Sequence, residues 1–169
     1  MNKPALLLLA AALALLPAGL AQAQVVRPAP NFSWASGKTL QSWRGQPVVL
    51  VIAPSPLSKE FRAQAKKIER DYQQFAARKV VFVAVFTQPG AENGPLCTNI
   101  PFVVVPNGAD IACRYGTRIF SLNVIGRDGN LDLSSDKVES SWKIMDMIRN
   151  NAEQQASERK DLRITPVIQ

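Results

Sequence analysis

Cys97 and Cys113 are the side chains of this sequence best suited to covalent chemistry, since a thiolate can be nucleophile, redox centre or metal ligand. They lack company. The chain contains no histidine, which removes the commonest general base and the commonest metal ligand together. Two cysteines cannot supply a four-thiolate zinc site, so neither a metal nor a cofactor is expected. Ser55 and Ser58 stand in Pro54-Ser55-Pro56-Leu57-Ser58-Lys59, but a nucleophilic serine needs a base. Lys59 is the candidate at hand, and capping of a helix by Ser58 is the simpler reading. Asp128, in Arg127-Asp128-Gly129-Asn130, has no run of alternating acids around it and reads as a turn former, not a calcium ligand. Trp34, Trp43 and Trp142 could line a ligand pocket; their positions at element ends favour packing in the core.

Which role the cysteines take depends on the compartment, and residues 1–23 address that. Lys3 precedes an unbroken apolar run from Ala5 to Leu16, Pro17 and Gly19 interrupt it, and Ala21-Gln22-Ala23 has the small-x-small pattern of a cleavage site. This is the order of a secretory signal peptide. The run is shorter than the roughly 20 apolar residues that span a bilayer, and no later segment is long and apolar enough, so an exported, periplasmic or secreted protein without a membrane span is expected. In an oxidising compartment two cysteines usually pair. A Cys97–Cys113 disulfide would enclose 15 residues and stabilise the fold by about 3 kcal/mol through loss of chain entropy. The alternative is a relocated redox pair, or a peroxidatic Cys113.

The chain carries 20 Lys and Arg against 13 Asp and Glu, a formal charge of +7. The basic residues are interspersed with acids: Lys66-Lys67 is followed by Glu69 and Asp71, and Arg159-Lys160 lies between Glu158 and Asp161. That pattern fits a solvated surface and gives no reason to expect specific nucleic-acid binding.

Residues 24–30, with Pro28 and Pro30, read as an extended leader. Phe32-Ser33-Trp34 alternates as a short half-buried strand would, and Thr39 could cap a short turn over Leu40 to Trp43. Pro47 to Ala53 is almost wholly apolar, the pattern of a strand covered on both faces. From Ser58 to about Arg78 an amphipathic helix is predicted, with Leu57, Phe61, Ile68, Tyr72 and Phe75 on one stripe and Ala65 between them. Val80 to Phe86 is a second continuous strand, which completes a βαβ unit. The loop Thr87 to Asn99 follows, then a strand over Ile100 to Val105 that Pro101 disrupts at its start. Ala109 to Tyr115 could form a short helix ended by Gly116. Phe120 to Ile125 and Leu131 to Leu133 flank Asp128-Gly129, the strongest short hairpin signal. A last helix presents Val138, Trp142, Met145 and Ile148, and 151–169 is a polar tail, either a solvated extension or a fraying end, that closes on a few apolar residues.

This order of elements, with Arg44-Gly45-Gln46-Pro47-Val48-Val49-Leu50, Val80-Val81-Phe82-Val83-Ala84-Val85, Tyr115-Gly116 and Arg127-Asp128-Gly129, resembles the thioredoxin-like superfamily, and within it the peroxiredoxins and periplasmic thiol-disulfide reductases. The stretch Phe120 to Gly129 followed by Val138 to Met147 is also similar to a cysteine-poor thioredoxin-like domain of bacterial exported proteins and some animal extracellular-matrix proteins, a resemblance that implies no activity. It implies a single α/β domain over 31–150, with a central mixed sheet flanked by helices. Its departures matter as much. The reductases' Cys-x-x-Cys would fall near Leu57 and Glu60, a peroxidatic cysteine would fall in the same loop, and the cis-proline that faces the redox pair would fall near Phe120. None is present.

Two functions are therefore expected in competition. One is a non-enzymatic exported domain that binds a protein or an envelope component through Pro54, Ser55, Pro56, Leu57 and Ser58 together with the loop 87–99, since loops on a rigid scaffold collect function. The other is a thiol oxidoreductase or peroxidase using Cys97 and Cys113.

Overall fold

The computed structural model describes residues 27–34, 37–117 and 119–164. The expected signal peptide, the start of the leader and the last five residues lie outside them.

A five-stranded sheet organises the chain. Its strands are β3 (Val48–Ala53), β4 (Val81–Phe86), β5 (Phe102–Val105), β6 (Ser121–Ile125) and β7 (Leu131–Ser135), in the spatial order β5-β4-β3-β6-β7. β3, β4 and β5 run parallel, and β6 and β7 are antiparallel to their neighbours. A separate two-stranded ribbon joins β1 (Ser33–Trp34) to β2 (Lys38–Thr39). Among the described residues the α-helices are α1 (Lys59–Arg70), α2 (Tyr72–Ala77), α3 (Gly108–Arg114) and α4 (Ser141–Ile164).

The unbroken apolar run of β3 has a direct cause. Val49, Val51 and Ala53 point into a core with Phe61 and Ile68 of α1, Phe75 of α2, and Ile144 and Ile148 of α4. Val48, Leu50 and Ile52 point the other way, against Ile111 and Ala112 of α3, Phe32 and Leu40. Both faces are covered, as the sequence pattern requires. On the α3 face Trp34 and Trp43 stack with ring centroids 3.8 Å apart. The leader closes the edge of that side: Pro28 bridges to Asn130, and the Ala29 N–H donates to the Gly129 carbonyl at 3.0 Å.

Several expectations are corrected. The long helix is two: at Asp71 the backbone N–H turns to the Ile68 carbonyl, a tighter i−3 bond, and the axis restarts at Tyr72. Lys79, with φ of 56°, ends α2. Trp142 is 71% exposed and outside the core, because α4 begins at Ser141 and buries Ser141, Ile144, Met145 and Ile148. Its first turn is fixed by the Ser141 hydroxyl, which donates to the Lys67 carbonyl at 2.8 Å. Past Asn150 the helix continues to Ile164. Thr39 stands at the N-cap of the Leu40–Trp43 turn in a capping box with Ser42, its own N–H donating to Ser42 Oγ at 3.2 Å. The hairpin turn forms as predicted, with Gly129 at φ of 87° and the Asn130 N–H donating to Asp128 Oδ1 at 3.0 Å.

Candidate functional site: a basic groove beside the main helix

β3 delivers the chain to Pro54-Ser55-Pro56-Leu57-Ser58 at the sheet's carboxyl end. This loop is tightly made. The Ser58 N–H and hydroxyl both donate to the Ser55 carbonyl, at 3.1 and 2.8 Å. Ser58 therefore occupies the N-cap position of α1 without capping through its side chain, which corrects the expected role: the hydroxyl closes the loop. Pro56 is buried, and Gly94 lies so close that a β-carbon there would stand 3.3 Å from Pro56 Cγ. The long loop thus packs on the short one. Its start is pinned by the Thr87 and Gln88 N–H groups, which donate to the carbonyls of Ala53 and Pro54 at 3.0 Å each. Its end is pinned by Asn99, whose side-chain amide donates to Glu69 Oε1 at 2.6 Å.

Between the two runs a groove of about 460 Å³, walled by Leu57, Lys59, Arg62, Lys66 and Glu69 on the helix side and Leu96, Cys97 and Thr98 on the loop side. Ala63 and Ala65 line it as well, and their small side chains leave the space between the walls open. Leu57, expected on the buried stripe, is instead 66% exposed, because it precedes the first turn of α1. Of the five predicted loop residues it alone is exposed; Pro54, Ser55 and Ser58 are half-buried. Sequence reasoning did not group Lys59, Arg62 and Lys66. Their spacing of three and four residues places them on one stripe of α1, a signal readable in the sequence.

The cysteines do not come together. Both thiols are free and exposed. Cys97 lies in the groove on the α1 side, at φ of 50°, with Sγ 3.8 Å from the Pro95 carbonyl oxygen. Cys113 lies on α3 in a second hollow lined by Thr87, Ala109, Ala112, Gly116 and Thr117. Leu96 packs against the core on one face of the sheet and Ala112 belongs to the core on the other. The predicted Cys97–Cys113 bridge is accordingly not formed in this structure. No cis peptide bond occurs among the described residues, and Phe120 is a buried core residue leading into β6.

A second cluster lies at the opposite end of the sheet, where the register pairs Val48 of β3 with Ile125 of β6. Asp132 Oδ1 accepts a bond from the Asn151 amide at 3.3 Å, and Oδ2 is buried without a partner. Gly126 makes the convergence possible: a β-carbon there would lie 2.7 Å from both Asp128 Oδ1 and Asp132 Oδ2. Burial, then the charge of Asp128, pushes the Asp132 carboxyl up to about 7. Sequence reasoning missed this cluster. At the start of α4, Glu139 is held below its usual range by bonds from Lys143 and Ser135. On the α3 face burial raises the Tyr115 hydroxyl, which donates to the Pro30 carbonyl at 2.9 Å.

Among the described residues no three His, Cys, Asp or Glu side chains gather as metal ligands, and no helix is long and apolar enough to cross a membrane.

The sheet order, the parallel β3-α1-α2-β4 unit and the antiparallel hairpin define a thioredoxin-like α/β domain, and solved structures agree. The mitochondrial 2-Cys peroxiredoxin of Plasmodium falciparum superposes with a TM-score of 0.61 at 16% identity, over 79% of this chain and 97% of that one. A thiol:disulfide interchange protein of the thioredoxin family from Chlorobium tepidum superposes with a TM-score of 0.56 at 19% identity, over 75% and 96%. The peroxidoxin BcpB of Mycobacterium tuberculosis gives 0.57 at 14%, over 74% and 96%. No sequence-family profile matches the chain, and no curated protein matches it by sequence. The chain has the thioredoxin-like fold.

Proposed function

We propose that this chain is an exported, redox-inactive thioredoxin-fold domain that works by binding a protein or an envelope component. The observation that carries the reading is the convergence of two loops on one groove. The Pro54–Ser58 loop and the 87–99 loop pack on each other at the start of α1 and leave Leu57 exposed at the rim. An exposed leucine above a rigid, proline-stiffened turn is a docking feature, since it exposes apolar surface at low entropic cost. The chemistry that would make the same place an enzyme is absent: there is no thiol in the 54–60 loop and no histidine in the chain. Export rests on the pattern of Lys3, the 5–16 apolar run and Ala21-Gln22-Ala23.

The mature protein should show no insulin reduction and no peroxide consumption beyond a Cys97→Ala, Cys113→Ala control. Turnover that disappears in the double variant would replace this reading with thiol chemistry. A pull-down from the envelope fraction of the source cells should recover a partner with the native domain and lose it with Leu57→Asp, a change at an exposed position that the fold tolerates.

A further inference from the structure

We infer that the groove takes an extended stretch of peptide in which acidic side chains alternate with apolar ones. This deepens the docking reading above and rests on it.

Charge comes first. Lys59, Arg62 and Lys66 are exposed, line the same wall, and none forms an ion pair with a described carboxylate. The arginines of α3 and α4 behave otherwise: Arg114 pairs with Asp110 at 2.7 Å and Arg149 with Asp146. Glu69, the one acid in the lining, is engaged by Asn99. The groove lining therefore carries three cations against one carboxylate, and none of the three cations is ion-paired, with the positive end of the α1 dipole beside the first of them. Such a wall selects an anionic occupant by charge complementarity.

Shape then selects the class. The cations line one wall of a groove between a helix and a loop, a shape that holds an extended chain along its length. From Lys59 to Lys66 the helix rises about 10 Å at 1.5 Å per residue. An extended peptide covers that distance in roughly three residues, with alternate side chains about 6.6 Å apart on one side. Two carboxylates at alternate positions can thus meet the cations, while the residue between them turns toward Leu96 on the loop wall.

The test uses the full mature chain and fluorescein-labelled Glu-Leu-Glu-Leu-Glu, with Gln-for-Glu and Lys-for-Glu counterparts. By fluorescence anisotropy the acidic peptide should bind at least about 10-fold tighter than the Gln peptide, and at least about 10-fold more weakly to Lys59→Glu/Arg62→Glu/Lys66→Glu, whose exposed, unpaired positions leave the fold intact by circular dichroism. Raising NaCl from about 0.05 to about 0.5 M should weaken it severalfold. Saturating acidic peptide should slow alkylation of Cys97, read by mass spectrometry, and leave Cys113, on the other face, unchanged. Equal affinity for the acidic and Gln peptides, or undiminished binding to the triple variant, overturns the acidic assignment. If the Gln peptide then still protects Cys97, the docking groove survives without its charge preference. If none of the three peptides protects Cys97, both readings fall. Phosphatidylglycerol vesicles that bind with the same charge dependence, where the acidic peptide does not, would move the surface to lipid.

Discussion

Replacing Asp132 by asparagine should stabilise the protein above neutral pH and leave it nearly unchanged in acid. In the folded chain Asp132 Oδ2 is buried without a partner, and Asp128 Oδ1 approaches the same point above Gly126. Burial first and Asp128 second raise the carboxyl from 3.8 to about 7. A folded-state pKa above the unfolded one means that the folded state holds the proton more tightly. The associated stability is complete below about pH 4 and is lost as pH rises through about 7. A shift of about 3 units would correspond to about 4 kcal/mol at 1.36 kcal/mol per unit. The side chain is only half-buried, so solvent screening lowers the expected effect to about 1–2 kcal/mol. The asparagine keeps an oxygen for the Asn151 amide and places an N–H donor toward Asp128. At about 3–4 °C per kcal/mol for a domain of this size, thermal unfolding followed by circular dichroism should show the variant melting about 3–8 °C above the wild type at about pH 8. At about pH 4 the two curves should nearly coincide. A gap of equal size at both pH values, or none at about pH 8, would refute the account.

Gly108→Ala should cost several kcal/mol or abolish folding, because its β-carbon would fall 1.8 Å from the Phe86 carbonyl oxygen; soluble yield and melting temperature report it. Gln64→Ala should destabilise by about 2–3 kcal/mol in urea titration, since buried Gln64 accepts from the Glu139 N–H at 2.8 Å and donates to its carbonyl at 3.3 Å, and those groups would lose their partners. Cys97→Ser and Cys113→Ser should each change stability by less than about 0.5 kcal/mol, as exposed free thiols do; a loss of about 3 kcal/mol common to both would instead reveal a disulfide.

Much of the fold was legible because its strands are buried on both faces. A run such as Val48 to Ala53 has no polar alternation to misread, and Asp128-Gly129 left little choice about the hairpin. The two misplaced apolar side chains share one cause. Leu57 and Trp142 were placed inside because the helical period was carried across a helix start, from a helix into the loop before it for Leu57 and from Val138 for Trp142. A 3.6-residue period fixes facing only within one continuous helix; across a turn the phase is reset. Gln64 shows the converse. It stands three residues after Phe61, on the buried stripe, and is buried as that position demands, its amide paired with the backbone at Glu139.

The site was half legible for a different reason. Residue types announced that the loop before α1 had no thiol, but the groove depends on a loop some 30 residues later folding back through Pro56, Gly94 and Glu69–Asn99. Such contacts join residues distant in sequence, and no local period encodes them. The same holds for Asp128 and Asp132, which read as ordinary turn and strand acids until the missing side chain of Gly126 lets them converge. Opposite ends of one sheet thus carry opposite electrostatic problems. At the carboxyl end of β3, three cations stand unpaired beside a single carboxylate, Glu69, and would gain from an anionic partner. At the other end two carboxylates crowd one another, and the protein relieves that crowding by holding a proton. A partner added at the groove should therefore screen the lysines and arginine without moving the Asp132 titration, because the whole length of β3 separates the two ends.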